Sequence, residues 1–150
     1  MNIYYVTNKK PLSYNNARKK EKYKQEFQEE FKTLYGHLYP NLPIHQKTLQ
    51  SNIVYIHHQL QNGCVPDVDN LSKPIVDTFT GVIYDDDRQI IRRAANIIEL
   101  KDFDFFAVDA TNMPVEIFEA FETYYENKEQ NIIYFEVGEF SVSQIKIGEM

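Results

Sequence analysis

Residues 66–90 read PDVDNLSKPIVDTFTGVIYDDDRQI and decide how the rest of the chain is interpreted. The stretch contains six aspartates, which are Asp67, Asp69, Asp77, Asp85, Asp86 and Asp87. So much like charge is unfavourable unless a cation lies among the carboxylates. Carboxylate oxygens select hard cations, so the stretch predicts a site for Mg²⁺, with Mn²⁺ as the alternative ion.

A short helix is predicted between the two acidic ends of this stretch. Leu71, Ile75 and Phe79 recur at the spacing of one apolar helix face. Asn70 is the expected N-cap, and Gly81 is expected to end the helix. The metal site is therefore expected to be built around one helix and the turn that follows it.

The spacing of the charged residues suggests how they would act together. Asp67 and Asp69 are two residues apart, so an extended backbone would direct both carboxylates to one side. Asp87 is expected to return to the same place after the helix. Lys73, one turn into the helix, could stabilise developing charge or position water, but it could equally form an i,i+4 pair with Asp77. A helix cap and an acidic turn without metal remain the alternative interpretation.

The rest of the chain predicts a scaffold of alternating strands and helices. Strands are predicted at residues 1–7, 48–60, 89–100 and 131–137, with an edge strand or arm at 140–147. Helices are predicted at 17–38 and 113–127, in addition to the central one. This β-α-β-α-β-α-β order predicts one α/β (α+β) domain over residues 1–150, with a single mixed sheet and flanking helices.

Composition narrows the class of protein. At 150 residues, with 43% hydrophobic residues, the chain is expected to fold around one core. Cys64 is the single cysteine, which excludes an internal disulfide framework and a cysteine-rich zinc site. No stretch resembles a signal peptide or is long enough to span a membrane, so a cytoplasmic location is expected.

The charge is unevenly distributed along the chain. The net charge is −6, yet residues 1–24 carry seven basic residues and one acidic residue. Several of these lie at the start of the first predicted helix, where positive charge opposes the helix dipole. This placement favours contact with a polyanion, and a solvated helix start is the alternative.

Two linked motifs in the central stretch resemble a known family. DVDNLSKPIVD at residues 67–77 and GVIYDDDRQI at residues 81–90 closely resemble the signature of RusA-type Holliday-junction resolvases. That signature is D-x-D-N-L-x-K, then a short helix, then D-D-x-Q followed by Ile or Val. The chain departs from it in having Cys64, Val65 and Pro66 where basic residues are frequent, and residues from Phe103 onward match nothing in it.

The resemblance implies a homodimeric, Mg²⁺-dependent endodeoxyribonuclease that resolves four-way DNA junctions during recombination and repair. By motif position, Asp67, Asp69 and Asp87 are the implied metal ligands and catalytic residues, and Lys73 is the implied essential lysine. Asp86 and Asn70 are implied supporting residues, and Asp77 and Asp85 are given mainly structural roles. The expected DNA-binding residues are Arg18, Lys19, Lys20, Lys22, Arg92 and Arg93. The alternative is a catalytically silent RusA-fold protein that binds branched DNA or a protein partner.

Overall fold

The computed structural model describes residues 2–11, 17–58, 66–100 and 108–141, with residues 17 and 18 described for their backbone alone. The elements in chain order are β1 Ile3–Thr7, α1 Ala17–Tyr35, β2 Leu49–His57, α2 Val68–Thr78, β3 Ile90–Glu99, α3 Val115–Glu126 and β4 Asn131–Glu139. Short 3₁₀ turns occupy Gly36–Leu38 and Asp87–Gln89. Cys64, the Arg18 side chain and most of the arm predicted at 140–147 lie outside the described residues.

The four strands form one mixed sheet in the order β1-β4-β2-β3. β4 runs antiparallel to β1 and to β2, whereas β2 and β3 are parallel and are joined through α2. In the register, Ile53 of β2 lies opposite both Phe135 of β4 and Ala95 of β3. The α+β fold with one mixed sheet that the sequence predicted is therefore confirmed.

An aromatic cluster fixes α1 and α2 against one face of this sheet. The Tyr5 ring lies 5.9 Å from that of Phe31 in α1 and 5.2 Å from that of Phe79, which caps the end of α2. Phe79 also stacks on Phe135, with ring centroids 5.6 Å apart. These side chains are all buried. The aromatic stripe of α1 therefore belongs to the core and holds α2 in place.

The start of α2 differs from the prediction. The N-cap is Asp67, whose Oδ1 accepts a hydrogen bond from the backbone N–H of Asn70 at 2.8 Å. The prediction that Asn70 caps the helix is wrong, because Asp is an equally good cap and lies at the required spacing of three residues. The helix therefore begins at Val68, and Asp69 lies in its first turn.

α3 packs on the other face of the sheet, near β1 and β4. Pro114 lies at its N-cap position rather than inside its first turn. None of the helices in the described part of the chain is long and apolar enough to cross a membrane.

Candidate active site

α2 presents a charged stripe on one side and an apolar face on the other. Asp69, Lys73 and Asp77 follow one another at four-residue spacing, which places them in a line along the helix. Leu71 and Ile75 are buried on the core side. At 1.5 Å per residue, the Cα atoms of Asp69 and Asp77 are roughly 12 Å apart. The stripe therefore connects the start of α2 to its end.

Asp67 and Asp69 both lie at the N-terminus of α2. The helix dipole and the exposed N–H groups favour negative charge there. The prediction that these two aspartates share one side of an extended backbone is wrong, because helical geometry has already begun at Val68. Both carboxylates nevertheless remain exposed at the same end of the helix.

The acidic turn, residues 85–89, is held together by its own side chains. Asp86 Oδ1 accepts from the backbone N–H of Arg88 at 2.9 Å, and Oδ2 accepts from the Arg88 guanidinium at 3.0 Å. The Gln89 Oε1 accepts from the backbone N–H of Asp86 at 3.0 Å, which completes a capping box. Hydrogen bonds from Arg88 lower the pKa of Asp86 to about 2. Asp86 is therefore ionised and engaged in shaping the turn.

Asp87 lies beside Asp77, a contact that the sequence did not predict. A side-chain hydrogen bond with Asp77 is the main cause that raises the pKa of Asp87 above its ordinary value, followed by burial and by the neighbouring Asp86. The fold therefore brings an aspartate assigned a structural role into direct contact with a candidate metal ligand. The four-residue spacing of the α2 stripe was the one sequence signal that Asp77 shares a surface with Asp69 and Lys73.

The acidic turn is also tied to the loop that precedes β2, which is called the 44–47 loop. The Gln89 Nε2 donates to the carbonyl oxygens of Ile44 at 3.2 Å and Lys47 at 3.1 Å. His45 Nδ1 lies 2.6 Å from Asp85 Oδ2. His45 was not singled out in the sequence, and Gln89 appeared there only as part of the second motif. The position of Asp87 consequently depends on a segment some forty residues away in sequence.

Lys73 and Tyr84 complete the surroundings of the stripe. Lys73 is exposed and makes no ion pair with any residue of the described segments, so the alternative pairing with Asp77 is not formed. Tyr84 is buried, and its hydroxyl donates to the carbonyl of Val76 in α2. Tyr84 thus fixes the turn beneath the helix.

Whether these residues suit a divalent ion depends on the type of their donor atoms and on how closely the carboxylates lie together. Across residues 2–11, 17–58, 66–100 and 108–141, no three His, Cys, Asp or Glu side chains are grouped so as to hold a metal ion. Asp87 lies with Asp77 toward the end of α2, whereas Asp67 and Asp69 lie at its start. The donors are all carboxylates, and the contact between Asp77 and Asp87 is one that a hard cation would relieve. The donor chemistry therefore fits Mg²⁺, although the three predicted ligands do not form one group here.

The basic residues of α1 lie on the helix next to α2. The Gln28 side chain donates to the carbonyl of Thr78 at 2.7 Å, which joins the two helices. Lys20 and Lys24 share the side of α1 that carries Gln28, because the three are four residues apart. Lys19 and Lys22 are exposed. The positive end of α1 is thus on the same face of the sheet as the acidic turn.

Arg92 and Arg93 are adjacent in β3 and therefore point to opposite faces of the strand. Burial is the main cause that raises the pKa of Tyr84. The charges of Asp87 and Asp77 raise it further, whereas the charge of Arg93 lowers it. Arg93 therefore lies on the side that carries the acidic turn. Arg92 instead lines a groove on the other face, with Asn52 and Ala94.

Comparison with known proteins adds one match. The family model described as endodeoxyribonuclease RusA matches residues 2–104, which is more than half of the 150-residue chain. This range includes β1, both helices of the aromatic cluster, the α2 stripe and the acidic turn. No curated protein matches the chain.

Proposed function

Because the chain belongs to the RusA family of endodeoxyribonucleases, which are Holliday-junction resolvases, we propose that it is a Mg²⁺-dependent enzyme that cuts four-way DNA junctions during recombination and repair. The observation that carries the proposal is the family match over the segment that holds the α2 stripe and the acidic turn. Mn²⁺ is the expected substitute, because it accepts the same oxygen ligands.

In this proposal Asp67, Asp69 and Asp87 hold the metal, and Lys73 acts beside it. A divalent ion bound there would polarise the scissile phosphate and lower the pKa of a bound water. Lys73 lies midway along the α2 stripe, between the two acidic ends. Its exposed ammonium group is suited to hold the phosphate by charge and to stabilise the charge that develops on it.

The neighbouring residues would keep the carboxylates in place. The Asn70 N–H fixes the Asp67 carboxylate, and Asp86 shapes the turn from which Asp87 projects. Asp77 touches Asp87 and would share in binding the ion. These contacts involve only the chain itself and so exist before the substrate binds.

The DNA would be bound through the basic residues on the same face of the sheet. Lys19, Lys20 and Lys22 of α1, with Arg93 of β3, are proposed to contact the phosphates, and Arg18 is proposed with them from its position in α1. Contacts of this kind position the duplex without reading its sequence. A homodimer is proposed because two opposed strands are cut symmetrically by two identical sites.

The test is cleavage of a synthetic four-way junction beside a linear duplex of the same sequence, in Mg²⁺. Asp69→Asn and Asp87→Asn should each reduce the cleavage rate by at least about a hundredfold, because each removes an ionic contribution to the transition state. Glu122→Gln, an exposed acid on α3, is the matched control and should cut like wild type. If both aspartate variants cut as fast as wild type, the assignment of the site is wrong.

A second candidate function is favoured by the separation of Asp87 from Asp67 and Asp69. A RusA-fold protein that binds branched DNA or a protein partner without cutting would not need these residues to meet. Binding of several branched substrates without cleavage in Mg²⁺ and in Mn²⁺ would establish that function in place of the nuclease.

A further inference from the structure

Arg88 and Lys73 are the two basic residues of the stretch from 66 to 90, which also carries six aspartates. A DNA strand that approaches the acidic turn would therefore meet mainly negative charge. Lys73 lies on α2, whereas Arg88 belongs to the acidic turn itself and follows Asp87 directly in the sequence. Arg88 is thus placed to offset the negative charge where a strand would come closest to Asp87.

The Arg88 guanidinium is held along one edge by Asp86. Its Nε and Nη2 atoms both donate to Asp86 Oδ2, at 3.2 and 3.0 Å. A guanidinium has five N–H donors in a fixed planar arrangement. The three donors that remain, on Nη1 and Nη2, make no hydrogen bond within the described part of the chain. One N–H from each nitrogen forms a second edge, whose geometry matches two oxygens of a phosphate.

The Arg88 side chain is not needed to form the turn that orients it. It is 90% exposed and so adds no packing to the core, and exposed ion pairs contribute little to stability. Asp86 uses its other oxygen, Oδ1, for the backbone N–H of Arg88, and Gln89 Oε1 accepts from the Asp86 N–H. The capping box therefore closes through atoms that are separate from the guanidinium.

The guanidinium also lies within electrostatic reach of Asp87. Hydrogen bonding to Asp86 and the charge of that carboxylate raise the pKa of Arg88, and the charge of Asp87 raises it further. Arg88 is consequently a permanent cation beside a carboxylate that is proposed to hold the metal. A phosphate bound at its second edge would lie close to the phosphate at the ion.

We propose that the second edge of the Arg88 guanidinium binds a DNA phosphate adjoining the one that is cut, while Asp86 fixes its orientation. The inference rests on the proposed function for the identity of the ligand and adds a phosphate subsite to it. The lysines of α1 would attract the duplex as point charges, whereas Arg88 would hold one phosphate through two parallel hydrogen bonds. Arg88 would therefore act in binding and positioning the strand rather than in breaking the bond.

The first test is binding of a four-way junction in EDTA, measured by fluorescence anisotropy over a range of salt concentrations. Arg88→Met removes the charge and the free donors, so the dissociation constant should rise about fivefold and the salt slope should fall by about one unit. Arg88→Lys should keep the wild-type slope but bind more weakly than wild type, because a lysine lacks the planar pair of donors. Lys128→Met removes one charge at an exposed position after α3 and is the matched control.

The second test is cleavage of the junction in Mg²⁺. Arg88→Met should raise KM about fivefold and leave kcat within about twofold of wild type, because a contact made equally before and during the reaction affects KM alone. Loss of a proposed metal ligand, as in Asp87→Asn, should instead lower kcat. The melting temperature of Arg88→Met should match that of Lys128→Met within about 2 °C, since the turn closes without the guanidinium.

Three outcomes would overturn the proposal. The first is an Arg88→Met variant that binds the junction with the affinity and salt slope of Lys128→Met. The second is a variant with lower kcat and unchanged KM, and the third is one that melts well below the control, which would make Arg88 a structural residue. If wild type binds the junction without cutting it, the nuclease assignment fails while the binding measurement still tests Arg88. If wild type cuts and Arg88→Met is unchanged throughout, the phosphate subsite alone is wrong.

Discussion

Gln89 is the residue whose replacement should best reveal how the acidic turn is held. Its side chain makes three hydrogen bonds, one to the backbone of Asp86 and two to the 44–47 loop, at 3.0, 3.2 and 3.1 Å. Gln89→Leu puts a somewhat shorter, apolar side chain in its place and removes all three. The turn that carries Asp87 then loses its Gln89 hydrogen bonds to the segment before β2 and keeps the contact between His45 and Asp85.

The size of the effect follows from these contacts. A hydrogen bond contributes about 1 kcal/mol net, and water replaces part of the loss because Gln89 is half-buried. We therefore expect Gln89→Leu to lower the free energy of unfolding by about 2 kcal/mol. For a chain of this size, the melting temperature should fall by about 4–8 °C. The added freedom of Asp87 should raise the Mg²⁺ concentration for half-maximal cleavage by about tenfold.

Two assays measure these effects separately. Thermal unfolding followed by circular dichroism gives the change in stability, and junction cleavage across a Mg²⁺ titration gives the change in metal dependence. Gln89→Glu keeps the acceptor for the Asp86 N–H but loses both donors, so it should be intermediate in stability. Its Mg²⁺ concentration for half-maximal cleavage should be raised as much as that of Gln89→Leu. Gln25→Leu makes the same chemical change at an exposed position of α1 and is the matched control.

The reasoning would be refuted by either of two results. If Gln89→Leu melts within 1 °C of the Gln25→Leu control, the hydrogen bonds of Gln89 do not contribute to stability as inferred. If stability falls but the Mg²⁺ dependence stays at its wild-type value, Gln89 supports the fold without positioning Asp87.

Two further predictions concern charge. Reversing Lys19, Lys20 and Lys22 to glutamate should weaken junction binding and flatten its dependence on salt, by about one unit of slope per lost phosphate contact. An unchanged slope, matching that of the control Lys128→Glu, would show that these lysines do not contact DNA phosphates and only form a solvated helix start. Alkaline pH should unfold the protein, because burial raises the pKa of several tyrosines, to about 12 for Tyr39. The others with raised pKa values include Tyr5, Tyr35, Tyr84 and Tyr134. Unfolded tyrosines ionise near pH 10, so stability should fall above about pH 10. Circular dichroism and tyrosinate absorbance would follow this loss, and constant stability to pH 12 would contradict it.

The sequence predicted those features that depend on local periodicity. The aromatic stripe of α1 repeats at three and four residues, and burial of Phe27 and Phe31 follows from that spacing. The choice between Asp67 and Asn70 as the cap of α2 could not be made from spacing, because both are good caps. The contact of Asp77 with Asp87 depends on the course of the turn after α2. The bridge from Gln89 to Ile44 joins residues 45 apart in sequence, which no local pattern reveals.

Five of the six aspartates differ in how the chain itself surrounds their charge, and this difference bears on their roles. Asp67 accepts a helix N–H, Asp85 is hydrogen-bonded to His45, and Asp86 is neutralised by Arg88. Asp87 instead lies beside Asp77, and this neighbouring carboxyl raises the pKa of Asp87. A cation bound beside these two carboxylates would relieve the repulsion between them. We therefore expect Asp77→Asn to weaken metal binding in parallel with Asp87→Asn, and equal metal affinity in wild type and Asp77→Asn would show that the contact serves the fold alone.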